Sequence, residues 1–493
     1  MIITSITGPS MRDALSQMRS SERYADLFEF RLDLIRSPSI QTLLSSTSRR
    51  AVVTCRPCHE GGRFAGSERE RIALLEHASA LGASYVDLEL CTDPEVIRSF
   101  LWRNSRPSVI LSKHCVSGPP RDATRLFRQM NEIGADVVKL SYHARDSGDM
   151  RMALEFLRLA RFHRKRAVAL AMGEFGEPTR ILYNVWGGWA TYAAPESGPP
   201  AADGQLPASI LRNVYHAEAL DRRTRIYGVL GYPVAQSRGI YLHNPLFRLA
   251  GRNAVYCRFP AKNLRSFMRS VCPHLRGFSV TLPHKRSILR FLSDADPAVF
   301  AIGAANTVLR TPRGLKGFNT DAAGALEAIE DVVTVKGKTM LVIGTGGAAR
   351  AIAFEGKRRG ARVIVAGRTP LHLRAMGRHL IVETIPMEKI RDVDFDILAN
   401  ATPVGMAPHA NVSPVPRELL RGKVVFDAVY SPADTRLLRE ARSVGASTVS
   451  GLAMYCGQAL RQSVLYTGKR PDRRSAAKTL KAAGVLPSSR SYH

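Results

Sequence analysis

The stretch VKGKTMLVIGTGGAARAIAF (Val335–Phe354) decides the fold of the second half of the chain. It reads as an apolar strand, a glycine turn and a helix, with Gly344, Gly346 and Ala349 matching G-x-G-x-x-[G/A]. A second strand follows, ARVIVAGR (Ala361–Arg368), so the motif stands in the βαβ setting that a dinucleotide-binding fold requires. Gly344 permits the tight turn, and Gly346 lets the backbone approach a pyrophosphate. Gly347 and Ala348 open a helix whose unpaired N–H groups face the anion. An acid at the end of the second strand would bind a ribose 2′-hydroxyl, but this chain has Arg368 and Thr369 there. A guanidinium suits a 2′-phosphate, which predicts NADP(H) in preference to NAD.

Towards the N-terminus, a new strand, Ile226 to Leu230, begins after Asp221-Arg222-Arg223-Thr224, and a domain boundary is expected there. Before it, eight short apolar runs alternate with helical patterns: 2–6, 27–34, 51–55, 85–90, 108–112, 136–140, 167–171 and 189–193. Eight βα units in a segment of this length predict a (β/α)8 TIM barrel over 1–222, with its site at the strand C-termini. The fold class is therefore α/β throughout: a barrel followed by a two-lobed dehydrogenase with a Rossmann-type nucleotide domain. Lys113, Lys139 and Lys165 are the only lysines of this half. Lys165 lies in the basic run RFHRKR and reads as solvated, whereas Lys139 lies inside the strand ADVVKLS. An ammonium desolvated by apolar neighbours loses basicity and becomes a Schiff-base nucleophile. The alternative is a lysine whose head reaches solvent at the strand end.

The length of 493 residues allows two to four domains, and 45% apolar with 23% charged residues excludes a disordered or coiled-coil protein. No apolar run reaches the roughly 18 residues of a membrane span, and no basic start with a long apolar run opens the chain, so a soluble cytoplasmic protein is expected. Seven scattered cysteines fit a reducing compartment, and the CxxC of Cys55 and Cys58 lacks the second pair of a structural metal site; no metal cofactor is expected. The 71 basic against 42 acidic residues give +29. The arginines are dispersed without aromatic interleaving, so they read as a solvated basic face rather than a nucleic-acid interface. Small-molecule substrates and a monomeric chain are the expectation.

Further motifs extend both readings. The first half carries EFRLD (Glu29–Asp33), TCRPCHEGG (Thr54–Gly62), VILSKH (Val109–His114), Lys139, then Met172-Gly173 followed by Arg180, and Gly204-Gln205. Together these resemble type I 3-dehydroquinate dehydratase across the whole half. The resemblance implies that Lys139 forms an imine with the substrate ketone, that His114 is the general acid–base, and that Glu60 orients it. It further implies that Arg180 holds a carboxylate, while Glu29, Arg31, Arg56 and Gln205 hold hydroxyl groups and the lid. SYH also occurs after the lysine, but strand order favours His114 over His143 as the base. Ala201 stands where the family commonly has Ser.

The second half carries FSVTLPHK (Phe278–Lys285), IGAANT (Ile302–Thr307), GFNTDAAG (Gly317–Gly324), NATPVGM (Asn400–Met406), DAVYSPADTRLL (Asp427–Leu438) and GLAMYCGQA (Gly451–Ala459). These resemble shikimate dehydrogenase. That resemblance implies a substrate domain of 225–325 completed by 449–493, a nucleotide domain of 326–448, and a catalytic pair of Lys285 and Asp321. It also implies substrate contacts from Ser237, Thr281, Asn306, Tyr430 and Gln458. Gly239 replaces a usual Ser, and His372 replaces a basic residue often found downstream of Arg368. The fused order is similar to the bifunctional enzymes of plants and chlamydiae, implying dehydration of 3-dehydroquinate and then reduction to shikimate. Two other readings stay open: an impaired regulator with an anionic partner, and a quinate-directed second half.

Overall fold

The computed structural model describes residues 1–102 and 107–482; the last part of the expected 449–493 segment lies outside the described residues. The chain divides into two compact units, one of Met1–Ile226 with Asn253–His274, the other of Tyr227–Arg252 with the chain from Leu275 onward.

The first unit is the expected barrel. Strands β1 (Ile2–Ile6), β2 (Leu27–Arg31), β3 (Arg50–Thr54), β4 (Tyr85–Glu89), β5 (Ser108–Cys115), β6 (Val137–His143), β7 (Arg166–Met172) and β8 (Thr191–Ala193) pair in parallel in chain order, and β8 returns to β1. Just before β8, the Trp189 N–H donates to the Ala167 carbonyl at the start of β7 (2.8 Å), tying the remaining seam. The intervening helices form where local signals permit. In Ala123–Ile133, Asp122 accepts the Arg125 N–H at 2.9 Å, Gly134 ends the helix at φ +87°, and Phe127 and Met130 face inward.

Side chains on a strand alternate, so the barrel interior fills in layers two residues apart. Ile3, Leu27, Val52, Tyr85, Ile110, Val137, Val168 and Ala190 make an apolar layer. Two residues further along each strand stand Ser5, Glu29, Thr54, Asp87, Ser112, Lys139, Leu170 and Tyr192, all buried and mostly polar. The next positions towards the mouth include Arg31, Arg56, Glu89, His114 and Ser141. β5 and β6 run well past the C-terminal ends that the sequence suggested. β5 continues past Ser112 and β6 past Leu140, because Cys115 pairs with Tyr142 and His143 with Met172. That extension places His143 on the same face as Lys139.

In the second unit, β9 (Arg225–Gly231) starts one lobe; the strand β10 (Ala254–Pro260) groups with the barrel unit. β11 (Gly277–Val280) runs parallel to β9, β12 (Asp294–Ala295) parallel to β14 (Gly314–Phe318), and β13 (Thr307–Thr311) antiparallel to both β11 and β14. The other lobe has six parallel strands, β15 (Thr339–Ile343), β16 (Arg362–Gly367), β17 (Glu383–Pro386), β18 (Ile397–Asn400), β19 (Val424–Asp427) and β20 (Ser447–Ser450). Their order, β17-β16-β15-β18-β19-β20, is the doubly wound Rossmann arrangement, with its switch point between β15 and β18. Apolar clusters cover both faces of this sheet, as a buried parallel sheet requires.

Candidate active sites

A cavity of about 310 Å³ opens at the barrel mouth, and it is lined by Glu29, Arg31, Arg56, Glu60, His114, Lys139, Arg180 and Gln205. All eight residues expected from the first half are thus brought together. The cavity also holds His143, Tyr192 and Ala201.

Lys139 corrects the sequence reading. Its strand neighbours are apolar, but its ammonium meets carboxylates supplied by other strands, donating to Asp87 Oδ2 at 2.8 Å and standing 3.6 Å from Glu29 Oε1. The Tyr192 ring centroid is 3.9 Å from the ammonium, and the Tyr192 hydroxyl has no hydrogen-bond partner among the described residues. Burial would raise the Asp87 pKa, but Lys139, Arg56 and a hydrogen bond from Ser112 together hold it below the ordinary carboxylate range. Arg56 is clamped between Asp87 (3.0 Å) and Glu89 (3.2 Å). Burial lifts Glu89 to about 7 despite Arg56 and Arg71. The sequence reading missed Asp87, Glu89 and Tyr192. Two acids at alternate positions of YVDLE, Asp87 and Glu89, were the available signal, since alternation sends both into the barrel.

Glu60 closes a short 3-10 turn, Cys58–Glu60, and its carboxylate accepts the His114 backbone N–H at 2.8 Å and lies 3.3 Å from His114 Nδ1. The glycines that follow are a steric necessity, since a Cβ on Gly62 would lie 2.0 Å from the Arg56 carbonyl oxygen. Lys113, on the opposite face from His114 and outside the cavity lining, still reaches Glu60 Oε1 at 2.5 Å. His114 is driven well below its ordinary pKa by burial first and then by Arg56, Lys139, Arg31 and Lys113, so its imidazole is neutral. Arg31 is held bidentately by Asp33 at 2.9 and 2.7 Å. Arg180 differs: buried, it donates only to the Tyr192 and Asp203 carbonyls (3.2 and 3.4 Å) among the described residues, and its Nε is unpartnered there. Burial lowers its pKa to about 10, an effect that the Glu177 carboxylate only partly offsets. The Gln205 side chain accepts the Ala201 N–H at 2.8 Å, which fixes the segment that carries it.

In the second unit, Lys285 Nζ donates to Asp321 Oδ2 at 2.5 Å. Asp321 opens the helix Asp321–Glu330, where the Asn319 side chain accepts the N–H groups of Asp321 and Ala322, leaving the carboxylate for Lys285. Asn306 donates to Asp321 Oδ1 at 2.8 Å and to Gln458 Oε1 at 3.4 Å. Gln458 comes this close because Gly324 lets two helices touch; a Cβ there would lie 2.8 Å from the Gln458 nitrogen. Thr281 flanks this network, accepting the His284 N–H one residue before Lys285. Tyr430 packs on Tyr455, 4.9 Å between ring centroids, and Ser237 precedes the helix Gly239–Leu249.

The nucleotide motif meets the same network. Gly344 has φ +116°, a Cβ on Gly346 would enter open space, and a Cβ on Gly347 would lie 2.9 Å from Lys285 Cβ. No side chain caps the helix Gly347–Arg358, whose Ala348 and Ala349 continue its first turn. Arg368 and Thr369 are exposed at the end of β16, beside this turn, because Gly344 N–H donates to the Ala366 carbonyl at 2.8 Å. An open glycine cradle, uncapped helix N–H groups and an exposed guanidinium fit a dinucleotide phosphate.

A barrel with a lysine, a histidine and an unpaired arginine at its mouth, joined to a doubly wound dehydrogenase fold, defines a two-site α/β enzyme chain. Residues 2–222 match the type I 3-dehydroquinase family, and residues 229–308 match the shikimate dehydrogenase substrate binding domain. The chloroplastic bifunctional 3-dehydroquinate dehydratase/shikimate dehydrogenase of Arabidopsis thaliana is 34% identical over 94% of this chain and 82% of its own length. The shikimate dehydrogenase (NADP(+)) of Thermococcus kodakarensis is 39% identical, covering 51% of this chain and 94% of its own. A crystal structure of shikimate 5-dehydrogenase from Thermus thermophilus with NADP(H) and shikimate is 35% identical, covers 53% of this chain and all of its own, and has a TM-score of 0.48. The chain belongs to the bifunctional 3-dehydroquinate dehydratase/shikimate dehydrogenase family.

Proposed function

We propose that this chain dehydrates 3-dehydroquinate to 3-dehydroshikimate in the barrel and reduces that product to shikimate in the second unit, with NADPH. The cavity that gathers Lys139, His114, Glu60 and Arg180 is the observation that carries the first step. The Lys285–Asp321 pair against Gly347 carries the second.

In the barrel, the Lys139 amine adds to the substrate ketone and loses water, giving an iminium. The iminium nitrogen accepts electrons from the adjacent C–H bond, which lets the neutral His114 imidazole take the proton. The resulting enamine expels the β-hydroxyl, to which His114 returns the proton as water leaves. Hydrolysis of the new iminium frees Lys139. Asp87 and Glu29 hold the lysine head in place, Glu60 orients His114, and Arg180 binds the substrate carboxylate. Arg31, Arg56 and Gln205 position its hydroxyl groups and the lid.

In the second unit, the bound nicotinamide supplies hydride. Lys285, held by Asp321, donates a hydrogen bond to the carbonyl oxygen and then the proton that converts the developing alkoxide to a hydroxyl. Asn306, Gln458, Thr281, Ser237 and Tyr430 hold the substrate. Gly344, Gly346, Gly347 and Ala348 cradle the pyrophosphate, and Arg368 with Thr369 reads the 2′-phosphate. The same reading assigns 1–222 to the dehydratase, 225–325 with 449–493 to substrate binding, and 326–448 to the nucleotide. It also makes the chain a monomer of the cytoplasm, supported by seven free thiols and by sites each completed within one chain. No described helix is long and apolar enough to cross a membrane.

Supplying 3-dehydroquinate and NADPH to the purified chain and following nicotinamide oxidation tests the whole reading. Turnover without added enzymes is expected. If added 3-dehydroshikimate is reduced but 3-dehydroquinate is not, the barrel assignment fails.

A further inference from the structure

Three side chains at the rim of the barrel cavity offer nitrogen, sulfur and oxygen to a common point. His59 and Glu60 lie on the turn after β3, and Cys91 lies on the exposed turn that follows β4. His59 Nε2 is 3.2 Å from Cys91 Sγ, and Cys91 Sγ is 3.6 Å from Glu60 Oε1. The three donor atoms all lie within 4.8 Å of one another. Tetrahedral zinc, with bonds of about 2.3 Å to sulfur and about 2.0–2.1 Å to nitrogen or oxygen, sets its ligands roughly 3.5 Å apart. The two distances to Cys91 Sγ are already close to that requirement, the His59–Glu60 pair need only close from within 4.8 Å, and the donor set suits a borderline-soft divalent ion. His59 and Cys91 are exposed, so an ion has access from solvent.

We propose that His59, Cys91 and Glu60 form a transition-metal site, selective for zinc-like divalent ions, that switches off the dehydratase half. On binding, the Cys91 thiol proton leaves to solvent, the thiolate and the His59 nitrogen bind the ion, and Glu60 Oε1 exchanges its contact with Lys113 for the metal. The fourth position goes to water. His114 is held by the other oxygen of the same carboxylate, Glu60 Oε2, through its backbone N–H and its ring, so an ion on Oε1 draws electron density from that oxygen and weakens the support that orients the imidazole. The inhibitory consequence rests on the dehydratase reading above; the binding itself does not.

Cobalt(II) titration of the full chain, freed of metal, tests binding without reference to activity. One equivalent should produce tetrahedral d–d bands and a thiolate-to-cobalt charge-transfer band. Cys91→Ala should abolish that band, and His59→Ala should weaken binding at least about tenfold. Cys58→Ala should leave the band intact, because Cys58 Sγ is directed to the Phe64 carbonyl (3.3 Å). No band, or an unchanged band in Cys91→Ala, overturns the site. In the activity arm, zinc should lower dehydratase kcat at least about tenfold, reversibly with chelator, with the dehydrogenase rate unchanged and both variants resistant. Inhibition that persists in Cys91→Ala, or that strikes both halves alike, overturns the switch. A Cys91-dependent cobalt band in a chain without dehydratase turnover would keep the site and reject the functional reading instead.

Discussion

At the scale of single residues, the lysine and arginine assignments make separable claims. Lys139 is the only lysine lining the barrel cavity among the described residues, and Lys113 points to Glu60 from the other face of its strand. Borohydride reduction in the presence of 3-dehydroquinate should therefore attach substrate mass to the peptide carrying Lys139. Lys139→Ala should abolish dehydration with the reductase rate intact; label on Lys113 would reverse the strand-face assignment. Arg368 makes a claim about cofactor choice. Removing a charge-assisted contact costs about 1.5–3 kcal/mol, so Arg368→Ala should raise the KM for NADP by roughly ten- to a hundredfold and that for NAD far less. Steady-state kinetics with both cofactors decides it, and equal effects would mean that another group reads the phosphate.

At the scale of elements, two packing features are exposed to test. The helices Asp321–Glu330 and Gly451–Thr467 approach closely at Gly324, whose added Cβ would lie 2.8 Å from the Gln458 nitrogen and 3.0 Å from the Met454 carbonyl oxygen. Gly324→Ala must push the helices apart, at a cost of about 1–3 kcal/mol, and carry Gln458 away from Asn306. The KM for shikimate should rise while dehydratase kinetics stay unchanged; an unaltered KM would separate Gln458 from substrate binding. At the end of β19, Asp427 accepts from Val429 N–H, Asn400 and Thr435 at 3.0, 2.9 and 2.6 Å, knitting the loop back onto the sheet. Burial outweighs those hydrogen bonds and raises its pKa to about 6. The folded state then keeps a proton that the unfolded chain has already lost, so stability falls as pH rises from about 4 to about 6. Asp427→Asn should exceed the parent in stability above pH 6 by on the order of 1–3 kcal/mol, and the gap should close below about pH 4. Denaturant unfolding at both extremes checks this, and a gap independent of pH would rule out the carboxyl as its source.

At the scale of the whole molecule, each site is assembled from one unit. The barrel cavity draws only on residues of Met1–Ile226, and the Lys285 network only on residues of the second unit, among the described residues. A mixture of Lys139→Ala chains and Lys285→Ala chains should therefore restore NADPH oxidation from 3-dehydroquinate, after a lag in which the freed intermediate accumulates. Two singly inactive chains that stay silent together would show that the intermediate cannot pass between molecules.

Local signals in the sequence were enough to define the class of both halves. Strand alternation, glycine turns and helix caps are local signals, and eight βα repeats or a G-x-G-x-x-A turn between two apolar strands admit few folds. It also supplied the eight cavity residues and the Lys285–Asp321 pair, through motifs whose residues remain close in sequence or at strand ends. The surroundings of Lys139 were decided only by tertiary structure. The strand ADVVKLS looks apolar along its length, but closing the barrel sets Asp87 and Glu29 beside the ammonium from strands far away in the chain. His143 entered the cavity because pairing with both neighbours lengthened β6, and Lys113 reached Glu60 although its strand face points away. Strand period fixes which way a side chain points, whereas register between strands fixes what it meets; His59, Glu60 and Cys91 meet because the turns after the neighbouring strands β3 and β4 lie side by side.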